Sequence, residues 1–233
     1  NGFGVADDAD PSVLYAGVTN QFLVVWNEYT SAQNLDVYAS RYDANLGSPL
    51  EGIAVEISND SWHGPACGYS YGSDRALIAA VSNPGTNTGK VAGRLLDVGA
   101  GQLDPGVITM GTTGASFEDD VDVGGSNAEN AADAHFCVTW SREQGSQQID
   151  VEYRILEADG TPVNTLMRVE TSVLDQIQPS ISQGLGDTDL NGDNWYIVWT
   201  EDDDNDERGA IRAKRIYFSG NAALDSDAFA VTA

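Results

Sequence analysis

The sequence has few positive charges. Eleven Lys and Arg residues stand against 36 Asp and Glu, which gives a formal net charge of −25 over 233 residues. A surface this acidic repels phosphate backbones and anionic lipids, so the composition argues against binding to nucleic acids or membrane surfaces. No apolar run approaches the roughly 18 residues that a membrane helix needs, so membrane insertion is not expected either. Calcium sites, a salt-rich or extracellular habitat and simple solubility remain as explanations of the charge.

Cysteine and histidine are also scarce. The chain has two of each, namely Cys67, Cys137, His63 and His135. In an exported protein the cysteines are candidates for a disulfide, and two buried free thiols are the alternative. The isolated histidines are expected to pack at strand ends or in loops. Motifs of dinucleotide sites, P-loops, zinc proteases and serine hydrolases are absent.

No segment shows a convincing helical period, and a short pattern occurs four times instead. The copies are DVYASRYDA (36–44), KVAGRLLDV (90–98), DVEYRILEA (150–158) and AIRAKRIYF (210–218). Their starts lie 54, 60 and 60 residues apart. Self-similarity at this spacing indicates a unit that cannot bury its own apolar face and must stack on copies of itself.

Each copy belongs to a set of four short strand-like blocks. The block before the pattern is rich in β-branched and aromatic residues: FLVVW (22–26), ALIAA (76–80), FCVTW (136–140) and WYIVW (195–199). One further block precedes it, one follows the pattern, and turn residues separate them. Repeated sets of four short antiparallel strands are typical of propeller blades. We therefore predict an all-β fold, a β-propeller-like array of four four-stranded antiparallel repeats; a pair of stacked β-sandwiches is the alternative.

The repeats divide one repeat domain, residues 1–233, into four stretches. These are approximately 10–60, 61–115, 116–175 and 176–233. Residues 1–7 hold GFGVAD, which is similar to the last strand GIAVEIS (52–58) and is a candidate extra closing strand. This segment either completes the last blade or is the tail of a missing blade. We favour the second, which would make the chain part of a larger multi-repeat protein.

The repeats resemble a known kind of sequence. FLVVWNE (22–28), DVYASRYDA (36–44) and GIAVEIS (52–58) are similar to the secreted "VVW…D-I-Y…R-D-A-G…I-S" β-propeller-like repeats of myxobacterial-type surface proteins. The second unit departs most, because Ala80 stands where the others have tryptophan. The resemblance covers essentially the whole chain. It implies an exported module outside the cell or at its surface, and it carries no catalytic residues.

Four oxygen-bearing side chains form the sharpest local motif. Asp187, Asp189, Asn191 and Asp193 occupy positions 1, 3, 5 and 7 of a calcium-type loop, with a glycine at position 6. The closing glutamate of an EF-hand is missing, because Val198 stands there. Calcium is therefore the one cofactor considered, and a plain acidic turn is the alternative. A second acidic cluster, residues 118–122, is expected to be solvated surface.

The positions of the tryptophans predict which of them are buried and which one is exposed. Trp26, Trp140 and Trp199 stand at equivalent strand ends and are predicted to be buried, whereas Trp62 is the candidate exposed residue for ligand stacking.

We expect a non-enzymatic exported module, a scaffold or adhesion surface for an unidentified protein or glycan. The alternatives are a carbohydrate-binding, lectin-like propeller and a glycosidase-like propeller with acids on central strands.

Overall fold

A computed structural model describes most of the chain: residues 11–31, 34–45, 47–55, 61–82, 89–111, 118–144, 148–163, 165–187, 192–202, 209–218 and 227–231. Within these residues the secondary structure is 18 strands and one 3-10 turn, Ala131–Asp133. The strands are β1 (Ser12–Ala16), β2 (Gln21–Ser31), β3 (Asn34–Asp43), β4 (Pro49–Val55), β5 (Trp62–Ser70), β6 (Arg75–Ser82), β7 (Lys90–Asp97), β8 (Gln102–Leu103), β9 (Ile108–Thr109), β10 (Glu118–Gly124), β11 (His135–Gln144), β12 (Gln148–Glu157), β13 (Met167–Arg168), β14 (Asp175–Ile181), β15 (Leu185–Asp187), β16 (Gly192–Asp202), β17 (Ala210–Phe218) and β18 (Phe229–Ala230). In this part of the chain no helix has the length and apolar character to cross a membrane.

The strands form four antiparallel sheets, here called units 1 to 4. Unit 1 has the order β1-β2-β3-β4, and unit 3 has the order β10-β11-β12-β13. Unit 2 has the order β5-β6-β7-β8, with β9 also paired to β7. Unit 4 has the order β14-β16-β17-β18, with β15 also paired to β16. The predicted all-β, β-propeller-like array of four four-stranded repeats is confirmed.

The two middle strands of every unit pair in the same register. The third residue of each repeated pattern lies opposite the last residue of the preceding block. The pairs are Trp26 with Tyr38, Ala80 with Ala92, Trp140 with Glu152 and Trp199 with Arg212. Because side chains alternate along a strand, this common register gives every unit the same two faces.

The units stack face to face around three apolar cores. Leu23 and Val25 of unit 1 pack with Ile78 of unit 2, and equivalent clusters join units 2 and 3 and units 3 and 4. Trp140 and Trp199 are buried in the second and third cores, as predicted. Trp26 is only half-buried, so that part of the expectation was wrong.

Trp62 is buried, and its predicted role as an exposed stacking residue was wrong. It is the first residue of β5 and lies in the core between units 1 and 2. The ammonium group of Lys90 lies 5.8 Å from the centroid of its ring. The indole therefore serves packing between units, where no ligand can reach its face.

Both cysteines are buried, and neither forms a disulfide. Cys67 belongs to the core between units 1 and 2, where its sulfur lies 3.4 Å from the Ser12 hydroxyl. Cys137 belongs to the core between units 3 and 4. The disulfide considered from the sequence is not formed, because the two residues lie in different cores. Burial raises the pKa of the Cys67 thiol to about 12, so the group stays protonated at physiological pH.

The first strands of the units, β1, β5, β10 and β14, lie side by side at the inner edge of the stack. Parallel bridges join Ser70 to Ser126 and Ser126 to Gly184 at one end of these strands. The Asp122 carboxylate of unit 3 accepts hydrogen bonds from the Ser180 hydroxyl at 3.0 Å and the Ile181 backbone N–H at 2.8 Å of unit 4. The inner strands thus surround a common axis, and side chains from all four units meet there.

Candidate active site

A β-bulge interrupts the inner strand in three of the four units. The pairing register shifts between His63 and Ala66, between Asp119 and Asp122, and between Ile177 and Ser180. A residue with left-handed backbone lies in each bulge: Gly64, Asp120 and Gln178, each with φ of 53°. A bulge breaks the strict alternation of side chains, so neighbouring residues can face the same side.

The bulges line one mouth of the central axis, which we call the acidic mouth. It is a cavity of about 590 Å³ between the beginnings of the four inner strands. Pro11 and Ser12 come from unit 1, and Pro179 comes from unit 4. The polar and charged side chains that line it include His63, Asp119, Asp120, Asp122 and Gln178. Three carboxyl groups thus lie within four consecutive residues of one strand.

Asp120 is a carboxyl group of the acidic mouth whose pKa is raised. Desolvation by the cavity walls raises its pKa, and the neighbouring negative charge of Asp119 raises it further. A hydrogen bond from the Gln178 backbone and one from the Ser141 hydroxyl, at 3.5 Å, act in the opposite direction. Because the residue is exposed to the solvent of the cavity, water moderates the upward shift. The pKa of Asp120 therefore lies above its ordinary value, at a position that a bound molecule can reach.

The two flanking carboxyl groups have different surroundings. Asp119 is half-buried and accepts the backbone N–H of Asp120 at 3.0 Å. Asp122 accepts the N–H of Val123 at 2.8 Å in addition to its two bonds from unit 4. Asp122 thus fixes the wall between units 3 and 4. Asp119 and Asp120 form a pair in which the negative charge of Asp119 disfavours ionisation of Asp120.

A second cavity of about 560 Å³ lies further along the same inner strands. It shares Ser12 and Asp122 with the acidic mouth. Tyrosines and amides dominate its polar lining: Tyr15, Tyr69, Tyr71, Asn127 and Gln183. Tyr15 and Tyr71 are exposed, so we call this end the tyrosine mouth. Burial, and a hydrogen bond to Asp74 at 2.6 Å, raise the pKa of the Tyr69 phenol.

The residues of the predicted calcium loop are only partly described. Asp189 and Asn191 lie outside the described residues, and Asp187 pairs through its backbone with Gly192. The Asp193 carboxylate is fully buried. It accepts hydrogen bonds from the Ser126 hydroxyl at 2.5 Å and the His135 backbone N–H at 3.0 Å. Asp193 joins units 3 and 4 there, and the calcium site stays a prediction.

The acidic cluster 118–122, expected to be solvated surface, instead forms β10. Glu118 is fully buried, and its carboxylate accepts the Val91 backbone N–H of unit 2 at 2.6 Å. Asp119, Asp120 and Asp122 line the acidic mouth. The repeat pattern predicted DVDVG (120–124) as the first strand of the third unit, but the sequence interpretation assigned its acids to solvated surface and not to a site. The signal that could have found them is their place in the repeat, directly before VDVG at the position of the other inner strands.

Comparison with solved structures relates this fold to glycoside hydrolases. An α-L-arabinofuranosidase from Fusarium graminearum, in complex with an iminosugar inhibitor, matches with a TM-score of 0.55 and 7% identity, over 94% of this chain and 66% of that one. A GH43 β-1,3-galactosidase with galactodeoxynojirimycin matches with a TM-score of 0.54 and 9% identity, over 93% and 74% of the two chains. A GH62 hydrolase with xylotriose gives 0.50 and 9%, over 95% and 69%. At these identities the likeness establishes the fold alone.

The expectation of a non-enzymatic scaffold or adhesion module was wrong. The three structures reported above, which share the fold over more than 90% of this chain, are carbohydrate-active enzymes, and the glycosidase-like alternative from the sequence agrees better with them. No family model matches the chain, and no curated protein does. The resemblance to secreted surface repeats therefore stays a prediction.

Proposed function

We propose that the protein is a glycoside hydrolase and that the acidic mouth is its active site. The observation that supports this best is Asp120, a carboxyl group with a raised pKa that opens into a cavity beside a second carboxylate. Hydrolysis of a glycosidic bond needs such a pair, one group protonated and the other charged. The glycosidase fold of the neighbours supports the proposal. The acidic composition and the resemblance to secreted repeats support a location outside the cell.

The reaction requires two proton movements. Asp120 donates its proton to the glycosidic oxygen as the bond from that oxygen to the anomeric carbon breaks. Asp119 takes a proton from the water that attacks the anomeric carbon. The products are two shorter sugars, and the protons on Asp119 and Asp120 re-equilibrate with solvent. Asp122 does not act on the sugar in this scheme, since its bonds to Ser180 and Ile181 hold the cavity wall.

Carbohydrate binding without hydrolysis is the second candidate. The exposed rings of Tyr15 and Tyr71 beside the amides of Asn127 and Gln183 favour it. Aromatic faces and amide groups are suited to the apolar and hydroxyl surfaces of a sugar. Under this alternative the tyrosine mouth holds a glycan and the carboxylates are dispensable.

The two candidates differ in whether a bond is cleaved. We expect the purified chain to hydrolyse at least one member of a panel of chromogenic arabinofuranosides, galactosides and xylosides, or to release reducing sugar from arabinan or xylan. On a substrate with a sugar leaving group, Asp120→Asn should lower the turnover by roughly 10²- to 10⁴-fold, because general acid catalysis contributes about that much. Asp119→Asn should lower it as well.

The matched control is Asp133→Asn, which removes an exposed carboxylate of the 3-10 turn that lines neither cavity. It should leave turnover unchanged. If the wild type cleaves no substrate but retains a glycan, and Tyr71→Ala abolishes the retention, the binding function replaces the hydrolase. If Asp120→Asn is as active as wild type, the assignment of the acid is wrong.

A further inference from the structure

Adjacent units contact one another at three places within the stack, which we call joints. Every joint pairs the same two faces of the units. The face toward the preceding unit, here the front face, carries Phe22 in unit 1 and its equivalents Ala76, Phe136 and Trp195. The face toward the following unit, the back face, carries Leu23 and its equivalents Leu77, Cys137 and Tyr196. Each core contains back-face residues of one unit and front-face residues of the next. Every joint is therefore back to front.

Within the described part of the chain, no unit covers the front face of unit 1 in this way. Phe22 is 41% exposed, whereas its equivalents in units 2, 3 and 4 are all 0% exposed. Val13 and Tyr15 on β1 are 64% and 49% exposed, and the Tyr15 ring lies 5.2 Å from that of Phe22. Trp26 lies on the same face and stacks on Tyr38, with the two ring centroids 6.2 Å apart. Unit 1 thus presents an aromatic surface that in every other unit is part of a core.

The described residues also leave the back face of unit 4 without a covering unit. Tyr196 is 44% exposed, whereas its three equivalents, Leu23, Leu77 and Cys137, are all 0% exposed. Val198 is 36% exposed, whereas its equivalents Val25, Ala79 and Thr139 are also 0% exposed. The chain therefore shows one half of the repeated joint at each end of its stack.

We propose that a second copy of this chain binds here, with the back face of unit 4 of one copy against the front face of unit 1 of the next. The observation that selects this occupant is the joint itself, since three internal examples pair these two faces and no others. Such a contact is head-to-tail, so it leads to closed rings or open arrays rather than to a simple two-fold dimer. The contact buries aromatic and aliphatic side chains that are otherwise exposed to solvent.

The charge of the chain sets a condition on this association. Two copies that each carry −25 repel one another, and added salt screens that repulsion. The association should therefore strengthen as salt is raised, as expected for an apolar contact between acidic molecules. This behaviour does not depend on whether the protein cleaves glycosides.

Sedimentation equilibrium of the whole chain tests the proposal. We expect the average mass to rise with protein concentration from 24.7 kDa to at least twice that value, and to rise further in higher salt. Val13→Glu blocks the front face of unit 1, and Val198→Glu blocks the back face of unit 4. Each variant alone should stay monomeric, and an equimolar mixture should form dimers and nothing larger, because each partner keeps one working face.

The matched control is Val173→Glu, at a residue that is 91% exposed and lies on neither face. It should associate like the wild type. Phe22→Glu and Tyr196→Glu repeat the test at second positions, with circular dichroism to confirm that each variant keeps its strands. A wild type that stays monomeric throughout, or a Val198→Glu variant that still self-associates, would overturn the proposal.

Discussion

Asp120 gains its properties from three parts of the chain. The bulge in β10 turns the residue into the cavity, Asp119 supplies the neighbouring charge, and Gln178 of the next unit supplies a backbone hydrogen bond. A positive φ is tolerated better by aspartate than by most residues, so the side chain and the bulge suit each other. None of this is visible in the run FEDDVDVG, which in isolation is typical of an acidic loop.

A buried side-chain acceptor links units in the same way at two places. Glu118 accepts the Val91 N–H at 2.6 Å, and Gln176 of the following unit accepts the equivalent Val151 N–H at 3.1 Å. Gly111 fits beside the Glu118 carboxylate, because a Cβ there would lie 2.1 Å from a carboxylate oxygen. The equivalence means that the acceptor oxygen is required at this position and the charge is not.

Substitution at residue 118 should therefore depend on the acceptor. Glu118→Gln reproduces the arrangement of unit 4 and should change the free energy of unfolding by less than about 1 kcal/mol. Glu118→Ala leaves the Val91 N–H without its acceptor in a buried site and should cost about 1–3 kcal/mol. Denaturant unfolding measures both. Equal costs for the two variants would show that the hydrogen bond to Val91 is not what the side chain contributes.

At the scale of the strand, the register was predictable and the burial was not entirely so. The β-branched and aromatic residues of FLVVW, FCVTW and WYIVW predicted the strands, and the common pattern placed the three tryptophans at one position. Trp140 and Trp199 are buried because a preceding unit covers them, and Trp26 lacks that cover. Trp62 was misplaced because the exposure of an inner strand depends on neighbouring units, which the local sequence does not contain.

The tryptophan positions give a matched pair of substitutions. Trp140→Ala should cost about 3–5 kcal/mol, because it leaves a cavity between units 2 and 3. Trp26→Ala, at the equivalent position on a half-buried face, should cost less than half as much in dilute solution. The measurement is the free energy of unfolding of each variant. A loss at residue 26 as large as that at residue 140 would mean that the front face of unit 1 is already covered in solution.

At the scale of the whole molecule, repeats determine where a site can form. Stacking brings the beginnings of the four inner strands to one axis. There the carboxyl groups of β10 lie beside Pro11 and Gln178, which are far from them in sequence. The sequence predicted the units because each is local. It could not predict the cavity, which exists only after the units stack. The same reason explains Asp193, whose local motif suggested a metal ligand but whose partners, Ser126 and His135, lie in another unit.

The pH dependence of glycoside hydrolysis tests the central claim most directly. Asp120 must be protonated to donate to the leaving oxygen, so kcat/KM of the wild type should fall as pH rises through its raised pKa. Asp120→Asn cannot ionise, so its residual activity, measured on a substrate with an activated leaving group, should lose this alkaline limb. The account is contradicted if the variant keeps the same alkaline limb as the wild type, or if wild-type activity does not fall at high pH.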